Sequence, residues 1–169
     1  AIQQGCEVIS MSMAGAPTKA WAEVVNKAYE NGVTLVTAAG NSWNKGAQRL
    51  LPKRLLYPAR WDRVIAATGV TSNHRPYIFK AQIGLKSEGG ESMQGNYGPK
   101  KPMKSAIAAY TPNTPWATMN ESKKGIYYRL DGGGTSSATP QVAAAAALWL
   151  SYYKEELTAL VGEDKWKKV

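Results

Sequence analysis

The chain is short of the residues that carry most metal and redox chemistry. It has a single cysteine, Cys6, so no internal disulfide can form and the redox compartment stays open. It has a single histidine, His74, and no group of His, Cys, Asp and Glu has metal-ligand spacing, so no metal site is expected. Long apolar runs are missing as well. The longest, Val142 to Leu150, falls well below the ~20 residues that cross a bilayer, so no membrane span is expected. There is no internal repeat and no low-complexity segment. The chain opens on neither methionine nor a signal peptide but on "AIQQGCEVISMSM". Ala1 to Gly5 has the form of a last helical turn stopped by glycine. Such a start points to a piece of a longer protein, whose targeting signal, if any, would lie upstream.

What is present suits a packed domain. A length of 169 residues is about one domain. With 44% hydrophobic residues and a mean hydropathy of −0.36, the chain can bury a core. The net charge is 21 − 12 = +9. Its lysines fall in short clusters, Lys100–Lys101–Lys104 and Lys165–Lys167–Lys168, without a basic stripe or a nucleic-acid motif. No nucleic-acid partner is expected.

The hydrophobic pattern is that of an α/β protein. Glu7 to Ser12 alternates and is rich in Val, Ile and Met, as a strand is. From Thr18 to Glu30, apolar residues at Trp21, Val24, Val25, Ala28 and Tyr29 share one helical face, with Thr18 as N-cap and Asn31–Gly32 as the stop. Val33 to Ala38 is a second strand, and "AGNSWNKG" after it a loop. Strand, helix and strand within some thirty residues make a βαβ unit, hence a parallel sheet. Val64 to Val70 and Ser105 to Ala109 are further buried-strand candidates, and Tyr77 to Ile83, a stretch around Tyr97 and Ile126 to Leu130 shorter ones. Pro112 to Lys124 is expected to be loop, Gln141 to Tyr153 a buried helix and Lys154 to Val169 a polar helical tail.

In open α/β sheets, ligands bind at the carboxyl ends of the parallel strands. Three segments of small residues lie there: "SMAG", "AAGN" and "GGGTSSATP", the last running into the apolar helix. A hydroxyl at a helix N-terminus sits among unpaired N–H groups in a positive field. That suits a bound phosphate or a nucleophile whose product is an oxyanion. The segment lacks the Gly-Lys-Ser/Thr ending of a P-loop and the GxGxxG of a dinucleotide fold. Ala138 stands where the GxSxG elbow needs its final glycine.

"GTSSATP", Gly134 to Pro140, resembles the serine-nucleophile motif of the subtilisin-like serine proteases, the subtilases. Other stretches follow in that family's order. "VISMSMAG" (Val8 to Gly15) is similar to its substrate-binding strand, and "VTLVTAAGN" (Val33 to Asn41) to the segment ending in its oxyanion-hole asparagine. "YPARWDRVIAATGV" (Tyr57 to Val70) and "NYGP" (Asn96 to Pro99) are similar to what comes next. The resemblance covers roughly Gly5 to Leu150. It implies a parallel sheet flanked by helices on both faces, lacking the N-terminal part of the domain, with residues 1–153 as the C-terminal portion and 154–169 as a tail. It implies Ser136 as the nucleophile, with the Ser136 N–H and the Asn41 side-chain amide holding the oxyanion, and Thr135 adding a weaker hydrogen bond. Ser12, Met13, Ala14 and Gly15 would pair with an extended polypeptide substrate as an added strand. Ala38, Ala39 and Gly40 would wall the pocket for the side chain before the cleaved bond. Leu56 would floor it, or Leu55 if the register shifts by one residue.

The family's triad runs Asp, His, Ser along the chain. No family-type Asp-Ser/Thr-Gly or His-Gly-Thr precedes Ser136 here. His74, in "TSNHRP", comes after the oxyanion asparagine and has the setting of a solvated turn. The expectation is therefore a serine endopeptidase in the full-length protein, with the missing N-terminal part as partner and this chain alone inactive. The alternative is a pseudoenzyme or peptide-binding module without Asp and His. Ser137 is expected to cap or face the core, and Asp131 to cap a loop. The resemblance also implies a secreted, extracellular protein and no catalytic cofactor. Structural calcium on loop oxygens is a family habit for which no residues here are assigned.

Overall fold

The structure, a computed structural model, describes residues 1–43, 53–80, 92–120 and 125–159. Four parallel strands form its centre: β1 (Val8–Met11), β2 (Thr34–Ala38), β4 (Ile65–Val70) and β7 (Ala106–Tyr110), side by side in the order β1-β2-β4-β7. The register sets Ile9 beside Leu35, Val36 beside Ile65 and Ala67 beside Ile107. Because strand side chains alternate, Ile9, Met11 and Leu35 face one side and Val8, Val36, Ile65 and Ala67 the other.

Each face has its own helix. Helix α1 (Lys19–Glu30) starts where the Thr18 hydroxyl accepts the Trp21 N–H at 3.2 Å and ends at Asn31, with Gly32 at φ 81°. It buries Val25 and Ala28 against Leu35, Val33 and Val64. Helix α2 (Thr135–Tyr152) covers the opposite face, setting Ala138, Val142 and Ala143 on Val36 and Ala67. The small residues Ala66, Ala67 and Gly69 keep β4 thin where elements pack on both faces. At Gly69 a Cβ would lie 2.8 Å from Thr111 Cγ2 and 2.9 Å from Tyr77 Cβ. This is the α/β architecture expected, with a parallel sheet and helices on both sides.

Several elements differ from expectation. Pro112 to Lys124 is not all loop, because Thr114–Asn120 forms β8 and pairs antiparallel with β9 (Gly125–Gly132). Pro112 and Pro115 conceal an alternating strand whose partner supplies the hydrogen bonds. The loop after β2 contains β3 (Asn41–Trp43), which pairs with β6 (Ser92–Gly95), and β6 pairs in turn with β5 (Ile78–Lys80). Helix α2 starts at Thr135 rather than Gln141, with Gly134 as N-cap and Pro140 inside the helix. Its far half is not buried: Leu148 is 72% exposed, and no described element covers that side. Strand β7, expected to be buried, is an edge strand with Ile107 half exposed.

The polar tail begins with a short helix α3 (Lys154–Thr158). Residues 160–169, with the Lys165–Lys167–Lys168 cluster, lie outside the described residues, as do 44–52 of the long loop after Asn41 and 81–83 of the strand candidate. Among the described residues no helix is long and apolar enough to cross a membrane, and no group of His, Cys, Asp and Glu could hold a metal.

Candidate active site

The fold gathers three segments at the carboxyl edge of the sheet: the chain leaving β1, the chain leaving β2 and the start of α2. Hydrogen bonds join them directly. The Gly40 N–H donates to Thr135 Oγ1 at 3.2 Å. The Thr135 N–H donates to Asn41 Oδ1 at 2.9 Å, and Thr135 Oγ1 donates to the same oxygen at 3.2 Å. The Ser12 hydroxyl donates to the Ser136 carbonyl at 2.8 Å. Residues 124 positions apart are thus in contact.

These bonds fix which way Asn41 points. A backbone N–H can only donate, so the oxygen of the Asn41 amide faces Thr135 and the NH2 group is left as donor for something else. Gly134 makes the approach possible: at φ 73° it occupies the left-handed region, and a Cβ there would lie 3.0 Å from Asn41 Nδ2. Thr135 is completely buried. Its hydroxyl accepts from the Gly40 N–H and donates to Asn41 Oδ1.

Ser136 is the second residue of α2 and half-buried. Its N–H belongs to the first turn, where helical N–H groups have no intrahelical acceptor. Its carbonyl would accept from residue 140, but Pro140 has no N–H and its ring crowds that oxygen. Ser12 supplies the donor that the proline withholds. Ser137 is otherwise engaged: its hydroxyl donates to the Gly133 carbonyl at 3.1 Å and caps no N–H of the helix.

The residues expected to meet substrate are placed as follows. Ser12, Met13 and Ala14 are exposed and outside the sheet ladder, so their backbone is open to an added strand; Met13 is 55% exposed. Gly15 is tied back, its N–H donating to the Tyr57 carbonyl at 2.8 Å. Ala38 and Ala39 are buried, and the Ala39 methyl packs into a core cluster with Leu55, Ala59 and Ala66. Leu55 is therefore a core residue. Leu56 lies over Gly40, where a Cβ would come within 2.7 Å of its Cδ1, and its N–H donates to the Ala39 carbonyl.

Comparison with known proteins bears on this arrangement. The family model described as the subtilase family matches residues 1–165. The chain belongs to the subtilase family. It is 36% identical over 154 residues to subtilisin DY of Bacillus licheniformis, covering 90% of this chain and 46% of that protein. It is 30% identical to a protein of Halalkalibacterium halodurans named a thermostable alkaline protease, covering 90% of this chain and 34% of that one. With subtilisin E of Bacillus subtilis it shares 32% identity over 89% of this chain and 32% of the relative. The chain thus spans a third to a half of the length of these relatives. Subtilases are serine endopeptidases, and the family match takes in all three segments gathered at the sheet edge.

Other residues shape this subtilase site and escaped the sequence reading. Asn96 is fully buried and brackets Asn41: its N–H donates to the Gly40 carbonyl at 2.8 Å, and its Oδ1 accepts from Ser42 Oγ at 2.7 Å. Thr68 Oγ1 donates to the Asn96 carbonyl at 2.7 Å. Beside Ser136 a cleft of roughly 420 Å³ opens between α2 and the β8–β9 hairpin, with Trp116 and Asp131 on its wall. Asp131 does not cap a loop. Its Oδ1 accepts from Trp116 Nε1 at 2.7 Å and its other oxygen pairs with Arg129. The indole N–H first, then the guanidinium, hold its carboxyl below the usual value. Alternation in "ATMN" and the glycine opening β9 were the available signals for this hairpin. His74 occupies an exposed turn at φ 58°, its N–H bonded to the Thr71 carbonyl.

Proposed function

We propose that this chain carries the nucleophile, oxyanion and substrate-strand portion of a serine endopeptidase, with Asp and His supplied by the rest of the full-length protein. In that reaction the Ser136 hydroxyl adds to the scissile carbonyl while its proton passes to the histidine. The carbonyl oxygen becomes an oxyanion held by the Ser136 N–H and the Asn41 NH2 group. The C–N bond then breaks, the histidine returns the proton to the leaving amine, and water hydrolyses the Ser136 ester by the reverse sequence. The observation that carries this reading is the orientation of Asn41: with its oxygen accepting from Thr135, its NH2 is free to donate next to the residue that follows.

Ser12 to Gly15 would pair with the substrate backbone, and Leu56 over Gly40 would limit the depth of the pocket for the preceding side chain. Without a base a serine hydroxyl is a weak nucleophile, so the 169-residue chain alone is inactive on this account. A secreted location belongs to the same proposal and rests on family resemblance.

The test compares the full-length protein, its Ser136→Ala variant and the isolated chain on a chromogenic peptide. Turnover by the full-length protein alone supports the proposal. Peptide binding without turnover by the full-length protein would instead mark a pseudoenzyme that keeps the groove. Turnover by the isolated chain would place the base within these residues.

A further inference from the structure

Thr135 holds the tip of the Asn41 side chain. A side chain is aimed only as well as the backbone it leaves, and here that backbone is gripped by Asn96. The Gly40 carbonyl, in the peptide unit that leads into Asn41, accepts the Asn96 N–H at 2.8 Å. On the other side of Asn41, the Ser42 hydroxyl donates to Asn96 Oδ1 at 2.7 Å. The antiparallel register sets Gly95 beside Asn41, which brings Asn96 opposite Gly40. One residue thus holds the chain immediately before and immediately after Asn41.

Asn96 is itself anchored. It is fully buried, and its carbonyl accepts Thr68 Oγ1 at 2.7 Å, which ties it to β4 in the central sheet. Its Nδ2 presses on Gly40, where a Cβ would lie 3.1 Å away, and has no hydrogen-bond partner among the described residues. A buried amide with an idle donor is unfavourable, and an apolar side chain would avoid that penalty. What the amide supplies is the oxygen that receives Ser42. With the Gly40 N–H on Thr135 Oγ1 and its carbonyl on Asn96, the peptide units leading to Asn41 cannot turn independently, since each residue has only two soft dihedrals.

We infer that Asn96 is a positioning residue for the oxyanion step. By gripping Gly40 and Ser42 it orients the peptide units on both sides of Asn41, and so aims the Asn41 NH2 group. Being fully buried, it touches no substrate and acts through Asn41.

This inference rests on the serine endopeptidase reading, and its test has one arm that does not. In the full-length protein, Asn96→Ala keeps the backbone bond to Gly40 and removes the bond from Ser42. Ser42→Ala removes the same bond from the other end and leaves Asn96 in place, should the first variant fold poorly. Rates are taken per active site titrated to completion with a fluorophosphonate, so unfolded molecules drop out. Each substitution should lower kcat roughly 10- to 100-fold with KM unchanged, the effect of a misplaced catalytic group. In an Asn41→Ala background no amide is left to aim, and the same substitutions should change kcat by less than about twofold. Unchanged kcat in the single variants overturns the inference. So does an equal fall with and without Asn41, which would mark a merely structural role. The second arm follows the Asn41 side-chain NH2 by nitrogen-15 relaxation. Its order parameter should fall in both variants, while that of the Asn26 side chain on α1 stays unchanged. An unmoved Asn41 order parameter overturns the inference whether or not the protein proves to be a peptidase.

Discussion

Ser12 Oγ donates to the carbonyl oxygen of Ser136 at 2.8 Å, and Pro140 is the reason that carbonyl is open to it. A helix carbonyl four residues before a proline has lost its usual donor. The exposed segment after β1 therefore holds the backbone of Ser136, the proposed nucleophile.

The Ser12–Pro140 relationship gives a double-mutant cycle. Ser12→Ala should cost roughly 0.5–1.5 kcal/mol, the net value of one such bond. In a Pro140→Ala background the same change should cost less, because the substituted alanine brings an N–H to the Ser136 carbonyl. Denaturant unfolding of the four proteins measures the coupling. Equal costs in both backgrounds would contradict the compensation.

In the proposed mechanism Asn41 has two functions that two substitutions separate. Asn41→Ala should lower kcat roughly 100- to 1,000-fold with little change in KM, a range carried over from the oxyanion asparagine of a subtilisin, for which it is established. Asn41→Asp retains an acceptor for the Thr135 N–H but loses the donor, so it should match the alanine variant in kcat while unfolding near the parent. Steady-state kinetics and thermal melts of both proteins check this. An aspartate variant with parental kcat would mean the oxyanion is held elsewhere.

Leu56 bears on specificity. Leu56 lies over Gly40, and if that place is the proposed pocket floor it would take volume an aromatic side chain needs and bring no charge. The full-length enzyme should prefer Ala, Val or Leu before the cleaved bond, with limited discrimination, since each methylene is worth about 1–3 kcal/mol. Leu56→Gly should shift preference toward Phe and Tyr. A peptide-library cleavage profile reads both. Strong preference of the unmutated enzyme for Phe, Tyr or Lys would contradict the assignment.

Asp131 gives a pH test. Its folded pKa lies below the ordinary 3.8 through the Trp116 N–H and then Arg129. A depressed folded value means that the stabilisation is present above the unfolded pKa and lost as pH falls through the folded one. Trp116→Phe removes the larger cause, so the Asp131 carboxyl should titrate closer to 3.8 by NMR. An unmoved titration would show that the indole bond does not set it.

The parts legible in the sequence were those with local signals. Alternation marked β1, a 3.6-residue period marked α1 and short apolar runs marked β2 and β4, while Thr18 and Gly32 marked the ends of α1. Three small-residue segments stood out at the strand ends, and the family resemblance singled out Ser12, Asn41 and Ser136 within them. Strand β8 was missed because Pro112 before it and Pro115 within it mark loops, whereas the strand is held by its pairing with β9. The role of Asn96 was missed for a related reason: "NYGP" marks its place in the chain, but its role consists of contacts with Gly40 and Ser42, both distant in the chain. The outer side of α2 misled in the other direction, since an apolar surface shows only that a helix can be buried, not what covers it.

The central claim is that Ser136 is the reacting hydroxyl and Ser137 is not. Treating the full-length protein with a fluorophosphonate and mapping the adduct by peptide mass spectrometry tests it directly. The account predicts the phosphonyl group on Ser136 alone, because the Ser137 hydroxyl is bonded to the Gly133 carbonyl, and predicts that Ser137→Ala still labels. An adduct on Ser137, with Ser136 unmodified, would contradict it.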